Sequence, residues 1–405
     1  MIRHILTVFC LILSGELPAL AQENIEGTAR EPVTILISID GFRPDYLDRG
    51  ITPNLNALAK AGIEGPMRPS FPTKTFPNHY TLVTGKTPDG HGVVGNRMED
   101  KARPGERFTM ASKDPFWWDQ AEPIWITAEK QGVRSATMFW PGSEISFGGV
   151  RPSDWWPFSE ALSNDRRIRA VVDWMRRPAE SRPKLVTLYF DTVDTAGHFY
   201  GPAPSDKLHD VIQAMDTGIG FLRSELDALG QPVNLVIVSD HGMAEVGPER
   251  VIRLDEIYAR DQYRLVESGN YAGIEPLGDD TSAIEAAFLK PHHNMQCWRR
   301  ENIPARFAYG TNPRVPTIFC LPETGWLVYQ DVPEWLTRTG GGHGYDNFAP
   351  DMTALFIASG PGISAGGSVD IFDNVDIYAL VAHLSGVRPG PSDGSVEHFL
   401  PKFTQ

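Results

Sequence analysis

Six residues able to bind a divalent cation stand just past apolar runs or beside glycines: Asp40, Asp194, His198, Asp240, His241 and His343. Thr75 adds a hydroxyl inside Pro72-Thr73-Lys74-Thr75-Phe76-Pro77-Asn78-His79. Three carboxylates, three imidazoles and one hydroxyl are a donor set suited to two Zn²⁺ ions about 3.5–4 Å apart, the spacing that stabilises both oxygens of an in-line phosphoryl displacement. Taken singly these residues say little. An Asp after a strand is commonly a helix cap, and a His beside Gly is commonly structural. Taken together they say more, because a metal site draws its ligands from separate loops.

Local context sharpens each. Asp194-Thr195-Ala196-Gly197-His198 sets a carboxylate and an imidazole four residues apart in what reads as a glycine turn. Asp240-His241-Gly242 offers adjacent ligands, and Gly340-Gly341-Gly342-His343-Gly344 frees the backbone for close approach of one imidazole. A threonine hydroxyl is a poor nucleophile at neutral pH unless a base or a metal takes its proton. Pro77 falls in the first turn of a helix predicted to run to about Thr84, which places Thr75 at that helix's N-terminus, where backbone N–H groups and the dipole favour phosphate. On local sequence alone Thr75 reads more simply as an N-cap.

The elements that must position these groups read as α/β. Val33–Ile39 is a β-branched run ending at Asp40-Gly41, Leu185–Phe190 ends at Asp191, Leu235–Val238 runs into Ser239-Asp240-His241, and Thr353–Ala358 follows His343. A helix opens at Thr52-Pro53 and closes at Gly62; a longer amphipathic one carries Leu208, Val211, Ile212, Met215, Ile219, Leu222 and Leu226 and ends at Gly230. Apolar strands alternating with helices predict a mostly parallel sheet covered on both faces, whose ligands gather beyond the strands' carboxyl ends. The aromatic, proline-rich stretch from Phe116-Trp117-Trp118 to Trp155-Trp156-Pro157-Phe158 reads as long loops on the ligand side. Residues from about 245 to 339, polar and broken by prolines, read as an inserted cap.

The chain has 405 residues and a net charge of −14, so it gains no general attraction to duplex nucleic acid or anionic lipid, and phosphate binding must be local and metal-driven. Residues 1–21, a short basic start followed by an apolar run and Ala19-Leu20-Ala21, read as a secretory signal cut before Gln22, which predicts a periplasmic or secreted protein of residues 22–405. No other segment is long enough to span a membrane. Cys10 leaves with the leader; Cys297 and Cys320 remain, and an oxidising compartment favours a disulfide between them.

In order along the chain stand Asp40-Gly41-Phe42-Arg43, Pro72-Thr73-Lys74-Thr75-Phe76-Pro77-Asn78-His79-Tyr80, His91-Gly92-Val93-Val94-Gly95-Asn96, Phe139-Trp140-Pro141-Gly142-Ser143, Asp194–His198, Asp240-His241-Gly242 and His343-Gly344-Tyr345-Asp346. Together they closely resemble the nucleotide pyrophosphatase/phosphodiesterase family, a branch of the alkaline phosphatase superfamily. The resemblance spans nearly the whole mature chain and overrides the N-cap reading of Thr75. It implies an alkaline phosphatase-like fold and two zinc sites, with Asp194, His198 and His343 at one and Asp40, Thr75, Asp240 and His241 at the other. Thr75 would attack phosphorus, forming a covalent threonyl-nucleotide intermediate that water at the other zinc site hydrolyses. Asn96 and the backbone N–H of Phe76 would donate to a non-bridging oxygen.

Asp191 and His79 read as supporting residues rather than ligands, and Lys74 as favouring phosphate approach. The nucleotide enzymes of the family stack the base on the aromatic after the nucleophile, here Phe76, and on one in a later loop, which falls at Trp155 in place of the usual tyrosine. An aromatic pocket also suits a choline cation. The resemblance therefore implies release of nucleoside 5′-monophosphates from nucleotide diesters and pyrophosphates, with a glycerophosphodiester or lysophospholipid (choline) phosphodiesterase as the alternative.

Overall fold

The computed structural model describes residues 30–404; the predicted leader lies outside them. The central sheet is built from Val33–Ile39 (β1), Ile63–Arg68 (β2), Ser135–Met138 (β3), Asp154–Trp156 (β4), Leu185–Phe190 (β5), Val233–Val238 (β6) and Ala354–Ser359 (β7). Two short strands flank β2 and bring the sheet to nine. The order β2-β7-β6-β1-β5-β3-β4 places β1 at its centre, between β5 and β6. All seven β1 residues are buried, as a strand covered on both faces requires.

Its two faces belong to different cores. Val33, Ile35, Ile37 and Ile39 pack with Leu208, Ile212, Met215 and Ile219 of the long helix Asp206–Ala228, while Leu36 joins a second cluster with Tyr80, Leu82 and Trp125. Helices Pro53–Ala61 and Asp206–Ala228 stand where their apolar spacing predicted them, the first stopped by Gly62.

Two expectations need correction. The strand after His343 runs antiparallel to both neighbours, β6 and β2. The chain reaches β7 from the ligand end of the sheet without a crossover helix, so it can only run back. The stretch between Phe116 and Phe158 is not simply long loops: it contains the helix Ile124–Lys130 and strands β3 and β4. Ser135-Ala136-Thr137-Met138 is too short and too polar to announce a strand, yet all four residues are buried.

The segment after β6 builds its own four-stranded antiparallel sheet from Tyr263–Glu267, Ala272–Pro276, Ile318–Pro322 and Met295–Arg299. Leu254, Tyr263, Ile274, Ile284 and Phe288 form a separate apolar cluster beneath it. Cys297 and Cys320 face each other across two of these strands and are joined as a disulfide. Phe71 meets Phe307, Tyr309 and Phe319, tying this sheet to the main core. At the neck of the segment, Ala244–Val246 pairs antiparallel with Gly340–Gly342, so the chain leaves and returns on adjacent rungs.

Candidate active site

The ligand-type side chains converge at the carboxyl ends of β1, β5 and β6. Asp40 ends β1 and is turned by Gly41, whose φ of +68° favours glycine and where a Cβ would come within 3.0 Å of Asp194 Cα. Asp194 and His198 do not lie in a glycine turn but on the helix Thr192–Tyr200, four residues apart and so on one face. Gly197 serves that helix differently. A Cβ on Gly341 would come within 2.4 Å of the Gly197 carbonyl, and one on Gly340 within 2.4 Å of the His198 carbonyl. The three glycines before His343 are thus a strand pressed against a helix, rather than a free loop.

Three groups of donor atoms each fit within 4.8 Å: Asp194 with His198 and His343, Asp40 with Asp194 and His241, and Asp40 with His79 and Asp240. Thr75 Oγ1 lies 3.3 Å from His241 Nε2, which itself is 2.9 Å from Asp240 Oδ2 and 3.4 Å from Asp40 Oδ1. All seven residues singled out from the sequence are therefore brought together. Asp194 stands between the two halves of the cluster.

The hydrogen bonds separate ligands from supports. His198, His241 and His343 each point Nδ1 at a backbone carbonyl, of Gly341, Gly242 and Thr73, at 2.8, 2.9 and 2.8 Å. A carbonyl only accepts, so Nδ1 carries a proton in each, and Nε2 is the nitrogen turned toward the cluster. His79 is different: its Nδ1 meets Thr75 O at 2.8 Å and its Nε2 meets Ser38 Oγ at 2.8 Å, so both nitrogens have partners. Asp191 accepts from the buried Arg167 at 2.6 Å and braces the strand end. Asp191 and His79 are thus both tied to the protein frame, while His79 also falls in the Asp40–Asp240 donor group.

The carboxylates are half-used in the same way. Tyr189 donates to Asp40 Oδ2 at 2.7 Å, and Gly41 N to Asp240 Oδ1 at 3.3 Å. Asp40 Oδ1, Asp240 Oδ2 and Asp194 Oδ1 are buried and accept no hydrogen bond of good geometry, their nearest polar neighbours being imidazole nitrogens such as His241 Nε2, 2.9 Å from Asp240 Oδ2. Buried carboxylate oxygens without donors are costly, and a cation offsets that cost. Burial, and then the charges of Asp240 and Asp194, push the Asp40 carboxyl well above its usual range. Burial would raise Asp240 too, but His241 and His79 hold it well below. Burial and the neighbouring His241 keep His343 neutral, the form that ligates.

Thr75 opens the helix Thr75–Thr84, and the N-cap is Lys74, which leaves the Thr75 hydroxyl out of capping. Thr73 ties this turn to the His343 strand: its Oγ1 accepts from Gly344 N at 2.9 Å and donates to Tyr345 O at 3.1 Å. The Phe76 N–H, expected to face substrate, instead donates to Asn96 Oδ1 at 3.0 Å. The helix N-terminus has spare donors, and here one holds the Asn96 amide with its NH₂ end free. Lys74 is buried and donates to Asn270 Oδ1 at 3.0 Å, so its ammonium braces the inserted segment. Burial lowers its pKa.

Trp155 is the expected site residue that the structure does not link to this cluster. It is 39% exposed on the edge strand β4, with Arg151 over its ring. Phe158, three residues on, is an exposed aromatic that sequence reasoning did not single out. Its ring is 47% exposed and 6.2 Å from that of Tyr189, the residue bound to Asp40.

Comparison with known proteins identifies the family. The family model for type I phosphodiesterase / nucleotide pyrophosphatase matches residues 34–346. The chain belongs to that family. Among similar proteins of this family, an uncharacterized pyrophosphatase/phosphodiesterase of Schizosaccharomyces pombe is 37% identical over 399 residues, covering 92% of this chain and 80% of the relative. The bis(5′-adenosyl)-triphosphatase of Xenopus laevis is 36% identical over 370 residues, covering 91% and 80%. An inactive murine ectonucleotide pyrophosphatase / phosphodiesterase 5 in complex with AMP superposes with a TM-score of 0.87 at 32% identity, over 92% of this chain and 100% of that one. The protein is a hydrolase of the nucleotide pyrophosphatase/phosphodiesterase type with the alkaline phosphatase-like α/β fold. No helix among the described residues is long and apolar enough to cross a membrane.

Proposed function

We propose that this protein is a two-zinc hydrolase that releases nucleoside 5′-monophosphates from nucleotide diesters and pyrophosphates through Thr75. One observation carries the reading: three buried carboxylate oxygens and three imidazole Nε2 atoms crowd together beside a threonine hydroxyl. Asp194, His198 and His343 would hold one ion, and Asp40, Thr75, Asp240 and His241 the other. Two bound Zn²⁺ ions would lower the pKa of the Thr75 hydroxyl and of an attacking water and neutralise charge on the phosphoryl oxygens.

The residues supply the rest. Thr75 loses its proton to solvent and its Oγ1 bonds to phosphorus, as the bond from phosphorus to the leaving oxygen breaks and leaves its electron pair on that oxygen. Asn96, its amide held by Phe76 N–H, donates to a non-bridging oxygen. Water then bonds to phosphorus, the Thr75 ester breaks, and Thr75 regains its proton. The exposed ring of Phe158, with Phe76, flanks the base in place of Trp155. Relatives named for bis(5′-adenosyl)-triphosphate cleavage and a neighbour complexed with AMP favour nucleotides.

The Cys297–Cys320 disulfide supports a periplasmic or secreted location. The separate sheet and core of the segment at about 245–339 support a cap subdomain within a domain of residues 22–405. The decisive assay compares a thymidine 5′-monophosphate aryl ester with a choline phosphodiester ester on zinc-loaded enzyme. The first is expected to be the better substrate, and a marked preference for the second would overturn the nucleotide assignment.

A further inference from the structure

A cavity of about 460 Å³ opens beside the Asp194–His198–His343 cluster, within the size range of small-ligand pockets, roughly 300–1,000 Å³. His198 forms one wall, and Phe199, Tyr329, Trp335, Leu336 and Arg338 form much of the rest. Trp335 is 69% exposed and Phe199 is 56% exposed, a large apolar display for residues that pack against no core. The Arg338 guanidinium sits 5.7 Å from the Phe199 ring centre. The reaction steps above use none of these five side chains.

The cavity adjoins the end of the cluster away from Thr75. Thr75 Oγ1 is next to His241; the His241 and His343 rings stack with centres 3.5 Å apart, and the His198 ring centre, in the cavity wall, is 5.0 Å from that of His343. Nucleophile and leaving oxygen stand roughly in line across the phosphorus. A group expelled on the side opposite Thr75, toward His343 and His198, would meet this cavity.

We propose that this cavity is a leaving-group subsite that takes a nucleoside phosphate, with its base against Trp335 and its phosphate facing Arg338. The inference rests on the phosphodiesterase reading and adds what that reading lacks, a basis for choosing between substrates that share the transferred nucleotide. Aromatic faces hold bases of any sequence, and an arginine beside them matches a phosphate.

The test uses zinc-loaded protein and two substrates with the same AMP half: diadenosine triphosphate, which expels ADP, and ATP, which expels pyrophosphate without a base. Trp335→Ala is expected to lower kcat/KM for diadenosine triphosphate about 10-fold while changing ATP less than about twofold, and Trp335→Phe to restore most of the loss. ADP should weaken as a product inhibitor in parallel, and Arg338→Gln should depress both substrates. Equal losses on both substrates with Trp335→Ala, or no loss on diadenosine triphosphate, would overturn the subsite. Wild-type protein that cleaves a choline phosphodiester but neither nucleotide would instead bring down the proposed function, and the nucleoside occupant with it.

Discussion

The donor cluster and the rim around it are built on opposite terms. In the cluster, Asp40, Asp240, His241 and His343 are buried, and each side chain has one polar atom fixed by the protein and another left facing inward. On the rim, Phe158, Phe199 and Trp335 are exposed, and their neighbours are mostly other rings or guanidinium groups. The cluster fixes its donors with hydrogen bonds, as chemistry that is slowed about 100-fold by a misplacement of about 1 Å demands. The rim offers surface, which suits recognition of a variable group. Changes in the first should therefore cost turnover or metal, and changes in the second should cost selectivity.

Thr75→Ala should sharpen that contrast most. Turnover is expected to fall by at least about 10⁴-fold while metal analysis still finds close to two zinc ions per chain. Substantial residual activity would refute Thr75 as the nucleophile. Next in size, His343→Ala should lower occupancy of one zinc only, and chelation of the native protein should abolish activity that added Zn²⁺ restores. Tyr189→Phe removes the donor to Asp40 Oδ2 and should reduce activity or zinc affinity about 10- to 100-fold, as loss of such supports commonly does. On the rim, Phe158→Ala should raise KM for a nucleotide ester about 5- to 10-fold with kcat little changed, whereas Trp155→Ala should alter it less than about twofold. A Trp155 effect as large as that of Phe158 would return the base to the edge strand.

The cluster was legible in the sequence because its residues sit at the ends of strongly apolar strands, where side-chain type and position reinforce each other. The long helices were legible for the same reason of period. Strand β3 was not, since Ser135 and Thr137 hide a buried strand behind polar hydroxyls. Nor was the helical setting of Asp194 and His198, because Gly197 reads as a breaker when it is in fact a point of close packing. Tyr189 lay inside a strand already assigned to the core, and only the fold reveals that its hydroxyl reaches Asp40. Phe158 was not distinguishable from Trp155 and Trp156 in a stretch with aromatics on every side.

The two-stranded neck of the inserted segment has a bearing on how such proteins can vary. His241 precedes one strand of the neck and His343 follows the other, so the gap between these two imidazoles is set by the ladder from Gly340–Val246 to Gly342–Ala244. The part of the insert around Leu254, Tyr263 and Phe288 has a core of its own and can vary without altering that ladder, whereas Asn270, Phe307 and Phe319 are moored to the main body and cannot. New preferences can therefore arise at the far end of the insert while the catalytic distances stay put.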